Sequence, residues 1–375
     1  MSTTPYWLDE PAARFPAIDV EGRTEVAVIG GGVTGCSCAL TLAERGVRVR
    51  VYEQRRIAGG ASGRNGGFAS RGPALPYDVA RTELGSERAH LLMRLTERSL
   101  ERMERLAGDA FRRVGIVRLA VDADEADALR REFDALRADG FAAEWLAELE
   151  APLDRLYAAA IVHPADGALS PARWVRRLAR LALDAGAEIV EGRATSVDDV
   201  EADAVVVCGD GFTASLLPEL RELVVPTRGQ MLATSPLAEL WYPRPHAARD
   251  GYDFWQQLPD GRLVIGGSRD AALADEYTDV EEPTALVQTQ VEALATRLAG
   301  EQPAVTHRWA GIWGTTPDRL PLVGPVPGRD AVWIAGGYSG HGNALGLACG
   351  ELAARALVGE RLEELALFDP ARFAG

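Results

Sequence analysis

The stretch Thr24-Glu-Val-Ala-Val-Ile-Gly-Gly-Gly-Val-Thr-Gly35 decides the fold. Val26, Val28 and Ile29 form a short apolar run of the kind found in a strand buried on both faces. Gly30, Gly32 and Gly35 follow on the G-x-G-x-x-G spacing, with Val33 and Thr34 opening the helix behind them. Val33, Cys36, Ala39, Leu40 and Ala43 recur at helical spacing, and Arg48-Val-Arg-Val-Tyr-Glu53 is a second strand ending in an acid. The sequence thus predicts a βαβ unit. Its first glycine permits a tight turn, its second lets a pyrophosphate approach the backbone, and its third lets helix and strand pack closely. The helix N-terminus offers unpaired N–H groups and a partial positive charge to phosphates. Glu53, 18 residues after Gly35, is placed to accept hydrogen bonds from ribose hydroxyls. Glycines also make ordinary turns, but strand, helix, second strand and terminal acid together point to a dinucleotide.

The chain around this unit has 375 residues, enough for two domains of ordinary size. Its formal charge of -15 argues against nucleic acid as a partner, which requires clustered Lys and Arg. The four cysteines, Cys36, Cys38, Cys208 and Cys349, form no C-x-x-C pair and do not cluster with histidines, so neither a metal site nor a disulfide framework is expected. The first ten residues lack a basic region followed by an apolar run, and no stretch is long and uncharged enough to span a bilayer. The expected compartment is the cytoplasm.

Residues 1 to 23, with Pro5, Pro11 and Pro16, read as an irregular arm, either loose or packed across the body through Tyr6 and Trp7. Ile57-Ala-Gly-Gly-Ala-Ser-Gly-Arg-Asn-Gly-Gly-Phe68 is too glycine-rich for an ordinary helix or strand, and its place after Glu53 suggests a loop that hugs a cofactor. Helices are expected over 86–107 and 122–138, with a strand at 114–121 between them. His163-Pro-Ala-Asp-Gly-Ala-Leu-Ser-Pro171 leads into a helix over 172–185, for which Ser170 is a suitable N-cap and Pro171 a suitable first residue. Strands are expected at 187–190 and 204–208, then at 231–234, 252–258 and 262–268. Pro259-Asp-Gly261 between the last two signals a hairpin. A helix over 283–299 follows. The end of the chain reads strand (331–335), glycine turn (336–342), helix (343–357).

These residues resemble the FAD-dependent D-amino acid oxidase-like family, which includes glycine and sarcosine oxidases and γ-glutamylputrescine oxidase. The resemblance runs from Glu25 to Phe373. It rests on the ordered set of the nucleotide fingerprint with Glu53, Ala61-Ser-Gly-Arg-Asn-Gly-Gly67, the segment from His163, Ala204-Val-Val-Val-Cys-Gly209, Arg228-Gly-Gln230, Trp309-Ala-Gly311, Arg319-Leu-Pro-Leu-Val-Gly324 and Gly337-Tyr-Ser-Gly-His-Gly342. It implies FAD as cofactor. Glu53, Gln54 and Arg55 would serve its nucleotide half together with the fingerprint. Gly60, Ala61, Ser62, Arg64, Asn65, Gly66 and Gly67 would line the isoalloxazine. Gly337, Tyr338, Ser339, Gly340, His341 and Gly342 would put a helix N-terminus at the pyrimidine, where reduced flavin is anionic. Val197 corresponds to the adenine contact, in a segment short enough to imply a trimmed hairpin. Cys208, Gly209 and Gly311 complete the set. Relatives with covalent flavin carry a cysteine near Gly311; this chain has none there, so non-covalent FAD is expected. Sarcosine-type oxidases carry a lysine where Val264 stands, which leaves the electron acceptor open between oxygen and another oxidant.

The expected fold class is therefore α/β (α+β overall): a Rossmann-type FAD-binding domain from 1–75, 160–225 and 308–375, with an inserted antiparallel-sheet substrate domain from 76–159 and 226–307. The expected reaction is oxidation of a C–N bond in a small amine or amino acid, giving an imine that hydrolyses. In the glycine oxidase pattern a carboxylate-binding arginine lies two residues after the glycine of Trp-Ala-Gly, and here that residue is Trp313. With Tyr252, Phe254, Trp255 and Tyr338 it suggests an aromatic pocket for an amine cation, and His341 joins the candidate catalytic set. An amine without an α-carboxylate is favoured, with Arg64, Arg228 or Arg319 as other carboxylate partners. The alternatives are a D-amino acid or glycine oxidase or dehydrogenase, and, from another class, a non-catalytic FAD-binding protein.

Overall fold

The computed structural model describes residues 3–16 and 22–373. The strand Thr24–Ile29 ends at Gly30, whose φ of 119° belongs to glycine and whose missing Cβ would come within 2.5 Å of the Cys208 carbonyl oxygen. The chain then enters the helix Val33–Ala43 and returns as the strand Val49–Glu53. Both strands are buried almost throughout, as a parallel sheet covered on two faces requires.

Six strands make the central sheet, in the order Leu322–Pro325, Val332–Gly336, Ala202–Val207, Thr24–Ile29, Val49–Glu53, Glu188–Glu191. Every neighbouring pair is parallel except the first, which is antiparallel. The helices Pro171–Asp184 and Gly342–Leu357 pack on Val33–Ala43. The approach of Gly342–Leu357 depends on Gly350, where a Cβ would stand 2.3 Å from the Thr34 carbonyl oxygen. Ser170 occupies the N-cap position of Pro171–Asp184, but its side chain makes no cap bond.

A second sheet of eight strands runs Val305–Thr315, Val225–Pro236, Arg262–Gly267, Asp253–Gln257, His246–Ala248, Ile116–Ala120, Ala159–His163, Glu144–Leu146. Its pairs are antiparallel except His246–Ala248 with Ile116–Ala120. The helix Ala285–Ala299 covers one face over a core that includes Leu232, Trp255, Leu263, Ile265, Val291 and Leu294. Ala159–His163 and Val305–Thr315 both lie in this sheet and run across positions 160 and 308, where the sequence reading divides the chain. A short third sheet joins Phe68–Ala69, Gly167–Leu169 and Phe111–Arg112.

Between Glu191 and Ala202 the chain makes a single 3-10 turn, Val197–Asp199, with no hairpin strands. The N-terminal arm packs across the body: Tyr6–Asp9 is a helical turn and Trp7 is buried. Residues 1–2 and 17–21 of that arm lie outside the described residues.

Candidate functional site

A cavity of about 750 Å³ opens at the carboxyl ends of the central parallel strands, where Ile29, Glu53 and Cys208 finish them, and extends under the eight-stranded sheet to Phe254, Gly267 and Trp313. Ligands of open α/β sheets bind at this edge.

At the nucleotide end, Gly30, Gly32, Val33, Thr34, Glu53, Gln54 and Arg55 all line the cavity. Gly35 does not; a Cβ there would lie 1.9 Å from the Gly30 carbonyl oxygen, so its part is close packing of helix and turn. The helix Val33–Ala43 has no side-chain cap. The N–H of Val33 donates to Ser62 Oγ at 3.1 Å, while the helix dipole faces the cavity. Burial raises the Glu53 carboxyl above its ordinary range, opposed by backbone N–H groups of Arg55 and Gly31. Those two bonds, each 2.8 Å and one to each oxygen, orient the carboxylate and leave lone pairs for a ribose. Arg193, which the sequence reading passed over, and Thr195 line this end, and Val197 lies in the apolar core beside it.

The loop after Glu53 contributes Gly60, Ala61, Ser62, Arg64, Asn65 and Gly66 to the lining. Gly67 stands behind it with φ 73°, its N–H donated to Asn65 Oδ1 at 2.8 Å. Arg55 and Arg64 share the carboxylate of Glu281 at 2.5 and 3.2 Å. Cys208, Gly209 and Gly311 are also in the lining.

From the turn before Gly342–Leu357 come Tyr338, Ser339, Gly340, His341 and Gly342. Gly337 is set back, its N–H donated to Asp210 Oδ1 at 2.9 Å. Asp210 is partly buried, and desolvation pushes its carboxyl up to about 6 against the backbone N–H groups that hold it. Thr34 Oγ1 donates to the Tyr338 hydroxyl at 2.9 Å, tying this turn to the fingerprint helix. Burial pushes His341 down to about 4, so the ring is neutral at physiological pH. Its Nδ1 is shielded from solvent and has no hydrogen-bond partner among the described residues.

Beyond the turn, Tyr252, Phe254 and Trp313 wall the cavity. Trp255 does not: it is fully buried on the opposite face, stacked on His246 at 5.3 Å. Side chains alternate along a strand, so the neighbour of a lining Phe254 points away. Of the three arginines named from the sequence, Arg64 and Arg319 line the cavity, while Arg228 is spent on a buried pair with Glu276 at 2.8 Å. The arginine that sequence reading missed is Arg269. Its guanidinium carbon lies 5.2 Å from the Tyr252 ring centre and 5.8 Å from that of Trp313. Its Nη1 is shielded from solvent and has no acceptor among the described residues. Val264 is fully buried, outside the lining. Among the described residues no cluster of three or more His, Cys, Asp or Glu could hold a metal ion, and no helix is long and apolar enough to cross a membrane.

The residues present fit FAD. The N-terminus of Val33–Ala43, whose N-cap Gly32 has no side chain, opens on the cavity beside the oriented Glu53 carboxylate, and the turn that begins Gly342–Leu357 lines the same cavity. Residues 25–356 match the family described as FAD dependent oxidoreductase. The chain is 30% identical to a probable oxidoreductase OrdL of Rhizobium meliloti, over 93% of this chain and 86% of that protein. It is 27% identical to the gamma-glutamylputrescine oxidoreductase of Escherichia coli, over 93% and 87%. Its fold superposes on the crystal structure of glycine oxidase from Geobacillus kaustophilus with a TM-score of 0.76 and 25% identity, covering 95% of this chain and 100% of the other. The chain belongs to the FAD-dependent oxidoreductase family, and its cofactor is FAD.

Proposed function

We propose that the enzyme oxidises the C–N bond of an amine that carries a carboxylate, in a cofactor half built on the six-stranded sheet and a substrate half built on the eight-stranded one. The relatives named for glycine and for γ-glutamylputrescine support an amine or amino acid as the substrate class. The single observation behind the carboxylate is Arg269, an arginine that lines the cavity over Tyr252 and Trp313 and forms no ion pair among the described residues. A guanidinium group deprived of water costs free energy unless an acceptor reaches it, and its fork suits a carboxylate. The sequence expectation of a substrate without an α-carboxylate rested on Trp313 standing where an arginine was sought. Arg269, from another segment, lies over that very ring.

FAD, when bound, accepts the hydride equivalent. The chain's own residues do the rest. Arg269 holds the carboxylate against Tyr252 and Trp313. These rings and Phe254 exclude water from the reacting bond. His341 is neutral and lines the cavity, where its ring helps place the amine nitrogen. In balance, H–C–N–H loses a hydride and a proton to become C=N, and water then splits the imine into a carbonyl compound and an amine or ammonia. The α-amino acid and the longer amino acid share this chemistry.

Anaerobic flavin reduction by matched pairs tests the reading: glycine against methylamine, sarcosine against dimethylamine, 4-aminobutyrate against butylamine. The carboxylated member of at least one pair is expected to reduce the flavin with a Kd ten-fold or more below its partner's, and Arg269→Gln to abolish that difference. Equal affinity within every pair would return the substrate to amines without a carboxylate.

A further inference from the structure

Three consecutive carbonyls in the loop after Glu53 are each held by a side-chain donor from a distant segment. Trp309 Nε1 donates to the Arg64 carbonyl at 2.8 Å, Trp7 Nε1 to that of Asn65 at 2.8 Å, and Gln256 Nε2 to that of Gly66 at 2.7 Å. All three donors are buried, at 1%, 5% and 2% exposure, so these bonds are shielded from competing water. One donor comes from the N-terminal arm and two from the eight-stranded sheet.

A trans peptide unit points its N–H opposite its C=O. Fixing the carbonyls of Arg64 and Asn65 therefore fixes the N–H groups of Asn65 and Gly66, each directed away from the indole that holds its carbonyl. Neither N–H has an acceptor among the described residues, and both residues line the cavity. In the same loop Gly63 and Arg64 donate to Gly60 and Ala61, and Gly67 to the Asn65 side chain. A backbone whose carbonyls are held from outside while the Asn65 and Gly66 donors stay unspent is built to meet an acceptor in the cavity.

We propose that Trp7 and Trp309 are positioning residues that aim the Gly66 and Asn65 N–H groups at the isoalloxazine edge, and that the N-terminal arm is thereby part of the cofactor site. This rests on the reading that residues 61–67 face the flavin. Reduction adds negative charge to the ring system, so fixed N–H donors bind the reduced form more tightly than the oxidised form. The arm is itself held: Arg262 lies over the Tyr6 ring at 5.2 Å, Tyr6 meets His307 edge-on at 5.4 Å, and His307 Nε2 lies 3.2 Å from Asp9 Oδ2.

Trp7→Phe and Trp309→Phe each keep an aromatic ring and remove the donor. In each holoenzyme the FAD midpoint potential and the FAD dissociation constant are measured. The preference for reduced over oxidised cofactor is expected to fall about ten-fold, which moves a two-electron potential about 30 mV negative. Tyr6→Phe, on the same arm but with a hydroxyl that makes no hydrogen bond among the described residues, is expected to keep the wild-type potential. A role in packing alone would lower the melting temperature and leave the potential where it was, and that result in both donor variants overturns the proposal. If Trp7→Phe does not fold, Trp309→Phe decides. Wild-type protein purified without flavin would sink the underlying reading; flavin present with unmoved potentials would sink this inference alone.

Discussion

His341 is neutral because burial and the nearby Arg118 cation both disfavour its charged form. With a pKa near 4 it does not titrate between pH 6 and 9, so the pH dependence of flavin reduction in that range belongs to the amine, which must lose its proton before oxidation. The reduction rate at subsaturating substrate is expected to rise with pH through one ionisation. His341→Asn is expected to slow it about ten-fold or more without moving that ionisation. Stopped-flow reduction across the pH range checks this; a shift of the apparent pKa in the variant would make His341 the titrating group. At this scale the fingerprint residues were legible because covalent spacing alone places them. Arg269 was not: what marks it is the absence of a partner, and pairing is a property of the folded chain. The fate of Trp255 could have been read, since Tyr252, Phe254 and Trp255 on one strand cannot all face the same way.

The turn at 336–342 owes its shape to Asp210, which accepts the N–H groups of Gly337 and Tyr338 at 2.9 and 3.4 Å. Its folded pKa of about 6 lies above the ordinary 3.8, so the folded state holds this proton more tightly than the unfolded one. The stability linked to it is fully present below pH 4 and is lost as pH rises through 6; two units correspond to about 3 kcal/mol. Asp210→Asn keeps an acceptor for one N–H and removes the titration. The wild type is expected to lose stability between pH 4 and 6 relative to this variant, as read by denaturant unfolding at several pH values; parallel curves would contradict the assignment. Elements with clean periodicity, such as Ser86–Ala107, Ala123–Ala138 and the hairpin at Pro259-Asp-Gly261, stood where the sequence predicts them. The long strands Val225–Pro236 and Val305–Thr315 were largely hidden. They carry Pro226, Gly229, Gly311 and Gly314, poor strand formers by composition, and their pairing, with Gly229 opposite Gly311, overrides local preference. The glycines are there for space: a Cβ on Gly229 would stand 2.4 Å from the Trp313 ring.

For the whole molecule, the parallel sheet and the presence of a second, antiparallel sheet were legible in the order of motifs. The sheet partners were not, because strands far apart in sequence, such as Ile116–Ala120 and His246–Ala248, meet side by side. The four cysteines are all buried, and burial pushes the thiol of Cys208, which lines the cavity, well up. No thiolate is therefore at hand for attachment, and FAD is expected to be held non-covalently: acid precipitation should leave the yellow colour in the supernatant, and a yellow pellet would refute this. The central claim is that the cavity couples FAD reduction to oxidation of a C–N bond. It is tested most directly by mixing the holoenzyme anaerobically with the amine that reduces it fastest, then quantifying reduced flavin and released carbonyl compound in the same sample. One equivalent of carbonyl compound per flavin bleached is the predicted result; a flavin that no amine bleaches, or one that bleaches with no carbonyl product, would contradict the account.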